Sequence, residues 1–218
     1  MLTKGTKKSF SEEAKRQLAL VNKSIGNYGK PIRGRYLTLY HGTNSRNLEK
    51  ILKEGIKPRG KHKSNWESGI GISRNDLVYL TYCYACYFAS ASCKKKGDVP
   101  VIIKLKIDTK NTELFPDEEF IFRALHKAGE GLDHKKAVMM YNKIDPRKYD
   151  GKKYWEASLK FMGTVCAEYI PVGSIVGYAE GNSSEFMKNC DPSISPINYK
   201  IMSASYIDYL ESLDYKQV

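Results

Sequence analysis

Long apolar runs are missing from this 218-residue chain. The longest reach about ten residues, roughly half of what a bilayer-crossing helix needs, so no membrane segment is expected. The N-terminal stretch MLTKGTKKSFSEEAKRQL carries lysines but no apolar block of the kind a secretory signal requires. Cysteine is scarce too. Five residues, an odd count, show no spacing that suggests a disulfide framework. These absences point to a cytoplasmic protein. Cys83 and Cys86 do form a C-x-x-C, and Cys93 follows one heptad after Cys86. No second ligand pair stands at metal spacing, so they read as small apolar residues on a helix face and no metal site is expected. Internal repeats and low-complexity linkers are also lacking, which leaves one domain over residues 1–218.

Acidic residues are rare in one part of the chain. The net charge is +12, and residues 1–64 hold 16 Lys and Arg against 4 Asp and Glu, while the remainder holds 20 of each. A one-sided basic surface favours a polyanionic partner through counterion release. Sixteen tyrosines could offer stacking faces to unpaired bases, although strand and core positions account for most of them.

Periodicity supplies the elements. Residues 11–24 read as a helix capped by Ser11, and 26–35 as a Gly- and Pro-punctuated loop. YLTLYH (36–41) alternates as a strand, with Leu37, Leu39 and His41 on one face. A turn at Gly42 should follow. Residues 44–55 make a short amphipathic helix with Leu48, Ile51 and Leu52 as its stripe and Gly55 as its stop. Residues 57–76 form a basic loop with one aromatic, Trp66. Strands are expected at 77–81, 99–108, 161–170 and 174–180. Helices should follow the 77–81 strand to about Ser92, fill most of 116–160 and close the chain at 203–213. The mixture without strict alternation is α+β.

Three side chains invite chemistry. His41 closes a strand. Tyr79 shares a strand face with Leu77 and Thr81. Glu168 is expected mid-strand beside Thr164, Cys166 and Ile170, where a carboxylate is costly to bury without a partner. Each has an ordinary explanation: a hydrogen-bonded histidine, a core tyrosine, an edge glutamate.

As a set they carry a resemblance. LYHGTNSRNLEKILKEGIKP, VYLTYCYACYFA and AEYIPVGSI, in that order over residues 36–180, are similar to motif blocks of the ADP-ribosyltransferase superfamily. The likeness is to its His-Tyr-Glu branch, that of diphtheria toxin and the poly(ADP-ribose) polymerases. The resemblance implies a split β-sheet core with flanking helices, a helical insert at 116–160, and NAD as co-substrate. It implies that His41 holds the adenosine-side ribose, that the backbone of Gly42, beside Thr43, meets the nicotinamide carboxamide, and that Tyr79 packs on the nicotinamide ring. Glu168 would bind the nicotinamide ribose and stabilise its growing positive charge. Two departures stand out. The branch's second stacking tyrosine falls at Ser90 here, with Tyr84 and Tyr87 nearby. Cys166 occupies the position where arginine-modifying toxins place Glu or Gln, which argues against arginine as acceptor. The related RNA 2′-phosphotransferases share the HGT but usually carry His-x-His in the second strand, where this chain has Val78-Tyr79-Leu80-Thr81.

The charge around His41 suggests a nucleic-acid acceptor, DNA or RNA, single-stranded and modified on a base. Arg59, Lys61, Lys63 and Trp66 of the basic loop are the expected acceptor contacts. Members of the superfamily the chain resembles that act as bacterial toxins or phage-defence effectors include nucleic-acid modifiers. ADP-ribosylation of a protein target and an RNA 2′-phosphotransferase activity are the alternatives, and a basic nucleic-acid-binding module without chemistry is the non-enzymatic one. Residues 1–30 could be a basic helix across the NAD fold or an arm that grips the acceptor. Lys135, Lys136, Arg147, Lys152 and Lys153 give the insert local basic character. No antitoxin or other partner protein is identified.

Overall fold

Why strand β1 does not stop at its histidine is the first thing the fold explains. In the computed structural model, which describes residues 12–25, 32–61, 72–126, 133–190 and 199–218, β1 runs Tyr36–Asn44. It pairs along its whole length with β3 (Pro100–Asp108), from Tyr36 opposite Asp108 to Asn44 opposite Pro100. That ladder carries the chain straight through Gly42 and Thr43. The expected turn at Gly42 is therefore absent, and His41 sits inside the strand.

The sheet has seven strands, all antiparallel, in the order β4-β5-β2-β1-β3-β6-β7. The others are β2 (Val78–Thr81), β4 (Phe115–Pro116), β5 (Thr164–Ala167), β6 (Ile175–Glu180) and β7 (Lys216–Gln217). Two of these, β4 and β7, are too short for a period to announce them. The pairing between β1 and β2 is a single residue pair, Tyr40 opposite Thr81. Around the sheet lie eight α-helices among the described residues: α1 (Glu12–Ile25), α2 (Ser45–Glu54), α3 (Ala85–Ser92), α4 (Glu118–His126), α5 (His134–Tyr141), α6 (Lys152–Met162), α7 (Ser183–Cys190) and α8 (Tyr199–Ser212). The fold is mixed α+β, as its periodicity predicts.

Local chemistry sets the element ends. The Asn44 side chain accepts from the Arg46 amide and starts α2. Gly55 ends that helix at φ 78°, and a Cβ there would meet the Ile170 carbonyl at 2.3 Å. Gly163 stops α6 in the left-handed region, its N–H bonded to the Leu159 carbonyl. That cap corrects the strand expected over 161–170. Phe161 and Met162 belong to α6, and β5 ends at Ala167. Helix α7, short and polar, was not expected, and α8 begins earlier than 203. Ser11, the expected cap of α1, lies outside the described residues.

Alternation divides the core. On one sheet face Leu39, Leu80, Ile103, Leu105 and Val165 pack with Ile51 of α2 and Trp155 and Leu159 of α6. On the other, Tyr40 and Ile102 meet Cys86 and Ala89 of α3, Phe186 of α7 and Leu210 of α8. A separate cluster joins α4, α5 and α6 to Val21 of α1. The Tyr154 hydroxyl donates to Asn22 Oδ1 at 2.7 Å. The N-terminal helix thus packs on the 116–160 insert.

Candidate active site

His41 lies on β1, Tyr79 on β2 and Glu168 just past the end of β5, and these three strands are lateral neighbours. His41 shares the Leu39 face and is partly buried. Its Nδ1 stands 3.0 Å from the Tyr79 carbonyl oxygen. A carbonyl only accepts, so Nδ1 carries the proton and Nε2 presents a lone pair. Burial pushes the imidazole below its ordinary pKa, against the opposing effect of that hydrogen bond. A neutral ring with an Nε2 acceptor suits a hydroxyl donor.

Tyr79 stands opposite Cys166 of β5. Its ring lies beside Leu77, Phe115 and Cys166, and its hydroxyl donates to Glu118 Oε1. The Arg74 amide donates to both groups, at 2.7 Å to the hydroxyl and 3.2 Å to the carboxylate. Sequence reasoning missed Glu118, which is 1% exposed. The signal was present: Glu118 stands at i to Ile121 and Phe122 at i+3 and i+4, on the apolar face of α4. Burial raises the Glu118 carboxyl and drives the Tyr79 phenol and Cys166 thiol well above their usual ranges. The adjoining Asp117, pushed up to about 8 by burial, accepts from the Thr164 hydroxyl at 2.8 Å and the Glu119 amide at 2.8 Å. It caps α4 and ties it to β5.

Glu168 differs from expectation. It is a bend residue after β5, not a mid-strand one, and its side chain is 60% exposed. The strand ends too soon to carry it onto the apolar face. Its Oε1 lies 3.6 Å from Arg147 Nη1. Arg147 is bound more closely to Asp145 (2.9 Å) and to Asp76 Oδ2 (2.8 Å). Arg74 takes Asp76 as a fork, Nε to Oδ1 at 2.9 Å and Nη2 to Oδ2 at 2.8 Å. These contacts, the Arg74 hydrogen bond first, hold the Asp76 carboxyl down at about 2. A ladder of charges thus runs from Glu168 through Arg147 and Asp76 to Arg74, which touches Tyr79.

The remaining expected residues have structural duties. A Cβ on Gly42 would meet the Ala85 carbonyl and the Ala89 nitrogen, both at 2.4 Å. The close approach that glycine permits here is to helix α3. Thr43 is buried and its Oγ1 accepts from Asn47 at 3.1 Å. Ser90 Oγ donates to the Ser183 carbonyl at 3.4 Å, and Tyr87 lies edge-on to Phe88 at 5.8 Å. Arg59 donates to the Ser73 carbonyl at 2.6 Å, and Lys61 is exposed. Lys63 and Trp66 lie outside the described residues. Cys83 and Cys86 are buried. Among the described residues no group of His, Cys, Asp and Glu could hold a metal ion, and no helix is long and apolar enough to cross a membrane.

A comparison with protein-family models finds no match, and neither does a comparison with curated proteins.

Proposed function

We propose that the chain is an NAD-dependent mono-ADP-ribosyltransferase whose acceptor is a base of single-stranded DNA or RNA. The observation that carries this reading is the lateral run of β1, β2 and β5, with His41 hydrogen-bonded to the Tyr79 main chain and Glu168 at the neighbouring strand end. The single residue pair between β1 and β2 supports a split ADP-ribosyltransferase-like sheet.

NAD supplies the ADP-ribosyl group, with nicotinamide as the leaving group. His41 Nε2 accepts from a ribose hydroxyl. The Tyr79 carbonyl orients His41, while the Tyr79 ring, its hydroxyl fixed by Glu118, lies on the sheet face opposite His41. Glu168, an exposed carboxylate with one long ion pair, faces the positive charge that grows on the ribose as the glycosidic bond breaks. Nicotinamide departs neutral with the bonding electrons, so no proton need be delivered to it. The acceptor's lone pair forms the new bond and its proton passes to solvent. Exposed Arg46, Lys50 and Lys53 on α2, next to β1, supply part of the field for a polyanion.

The test is incubation with labelled NAD and separate pools of single-stranded DNA, RNA and protein extract. Nicotinamide release and label on nucleic acid are expected, both lost in Glu168→Ala with the fold intact. No nicotinamide release from the unaltered chain would reject the enzymatic reading. Label on protein alone would reject the nucleic-acid acceptor.

A further inference from the structure

A cleft of about 210 Å³ opens beside the Tyr79–Glu118 junction. None of His41, Gly42, Tyr79 and Glu168 lines it, so it is separate from the residues assigned to NAD. Its size is informative. Sites for drug-sized ligands run to roughly 300–1,000 Å³, so this cleft suits a single ring system and not a dinucleotide.

Its chemistry narrows the occupant. Tyr141 and Ile144 give it apolar surface, Asn75 and Asn142 give it amides that both donate and accept, and Glu118 gives it a carboxyl group. Amide side chains can read a base edge through two hydrogen bonds. An unpaired base is held by such bonds together with packing against aromatic and apolar side chains. Position narrows it further. Arg74, also in the lining, shares Asp76 Oδ2 with Arg147, and Arg147 reaches Glu168. One ion-pair ladder therefore joins the cleft to the proposed catalytic carboxylate.

We infer that this cleft is the acceptor subsite and takes one unpaired nucleobase, read at its edge by Asn75 and Asn142. The inference rests on the nucleic-acid reading above. The Glu118 carboxyl beside the two amides adds an acceptor for an exocyclic amino group, which thymine lacks.

The experiment measures binding of fluorescently labelled single-stranded homo-oligomers of dA, dC, dG and dT to the full chain without NAD. Asn142→Trp fills the cleft, and the double variant Asn75→Ala, Asn142→Ala strips its edge-reading groups while leaving it open. Both are checked by unfolding midpoint. The unaltered chain is expected to bind oligo(dT) most weakly. Each variant is expected to weaken the preferred oligomer about tenfold, the order of a lost two-bond base contact, and to level the differences between bases. Salt-sensitive binding that is blind to base should persist. Equal binding of all four oligomers, unchanged in both folded variants, would overturn the inference. So would label from NAD that arrives only on protein. Nicotinamide release by the unaltered chain is measured separately. It tests the reaction while binding without NAD tests the cleft, so either can fail alone.

Discussion

Glu118 and Glu168 are the same residue type with opposite surroundings. Glu118 is 1% exposed and receives hydrogen bonds from the Tyr79 hydroxyl and the Arg74 amide. Glu168 is 60% exposed, with one ion pair at 3.6 Å. A carboxylate that is to meet a transient positive charge must not be neutralised beforehand by close partners. A carboxylate that fixes a phenol must have close partners and no water. The first kind contributes little to stability and the second matters for it, because removing a buried acceptor strands its donors.

The largest effect expected from this contrast is kinetic. Glu168→Gln should lower kcat for nicotinamide release about 10²–10³-fold, the range for removing a group that stabilises transition-state charge. Its urea midpoint should stay near that of the unaltered chain. Glu118→Ala should instead lose about 1–3 kcal/mol of unfolding free energy, because the Tyr79 hydroxyl loses its acceptor while the Arg74 amide keeps only its bond to that hydroxyl. If Glu168→Gln proved the less stable of the two, the contrast would fail.

The buried end also has a pH signature. Asp117 is pushed up to about 8 by burial, while the unfolded chain titrates near the ordinary value of about 4. Between these limits the folded state binds more protons, so stability falls as pH rises from about 4 to 8. Thermal midpoints from pH 5 to 8 should decline more steeply in the unaltered chain than in Asp117→Asn. Equal slopes would mean that Asp117 is ionised in the folded protein. The smallest effect belongs to the exposed end. Arg147→Ala removes partly exposed ion pairs and should cost about 0–1 kcal/mol, measured by urea unfolding. A larger loss would show that the ladder from Glu168 to Arg74 supports the fold as well as the site.

Much of this was legible in the sequence, for identifiable reasons. Strand β3 and helix α2 follow from two-residue and 3.6-residue periods and from Asn44 and Gly55, all local signals. The bounds of β1 and β5 were not legible in the same way. β1 continues through Gly42 because β3, more than fifty residues later in the chain, pairs with it to the end, and β5 is cut short by a left-handed cap whose geometry a string of letters does not display. His41, Tyr79 and Glu168 could be named as candidates from a motif likeness. Glu118, Arg74 and Asp76 could not, because their partnership depends on α4 coming to lie against β2, a contact 39 residues long in sequence for Tyr79 and Glu118. The acids of PDEEF read as an ordinary helix start. Only their register with Ile121 and Phe122 hinted at burial.

Strand β1 is held unequally on its two sides. Nine residue pairs bind it to β3, and one binds it to β2. In hydrogen–deuterium exchange those edges would behave as a welded joint and a hinge pin. Amides in the β1–β3 ladder should exchange only when the whole domain unfolds, whereas those of β2 next to the seam can open on their own. The seam runs beside His41, so the region where chemistry is proposed is also where the sheet can flex without coming apart.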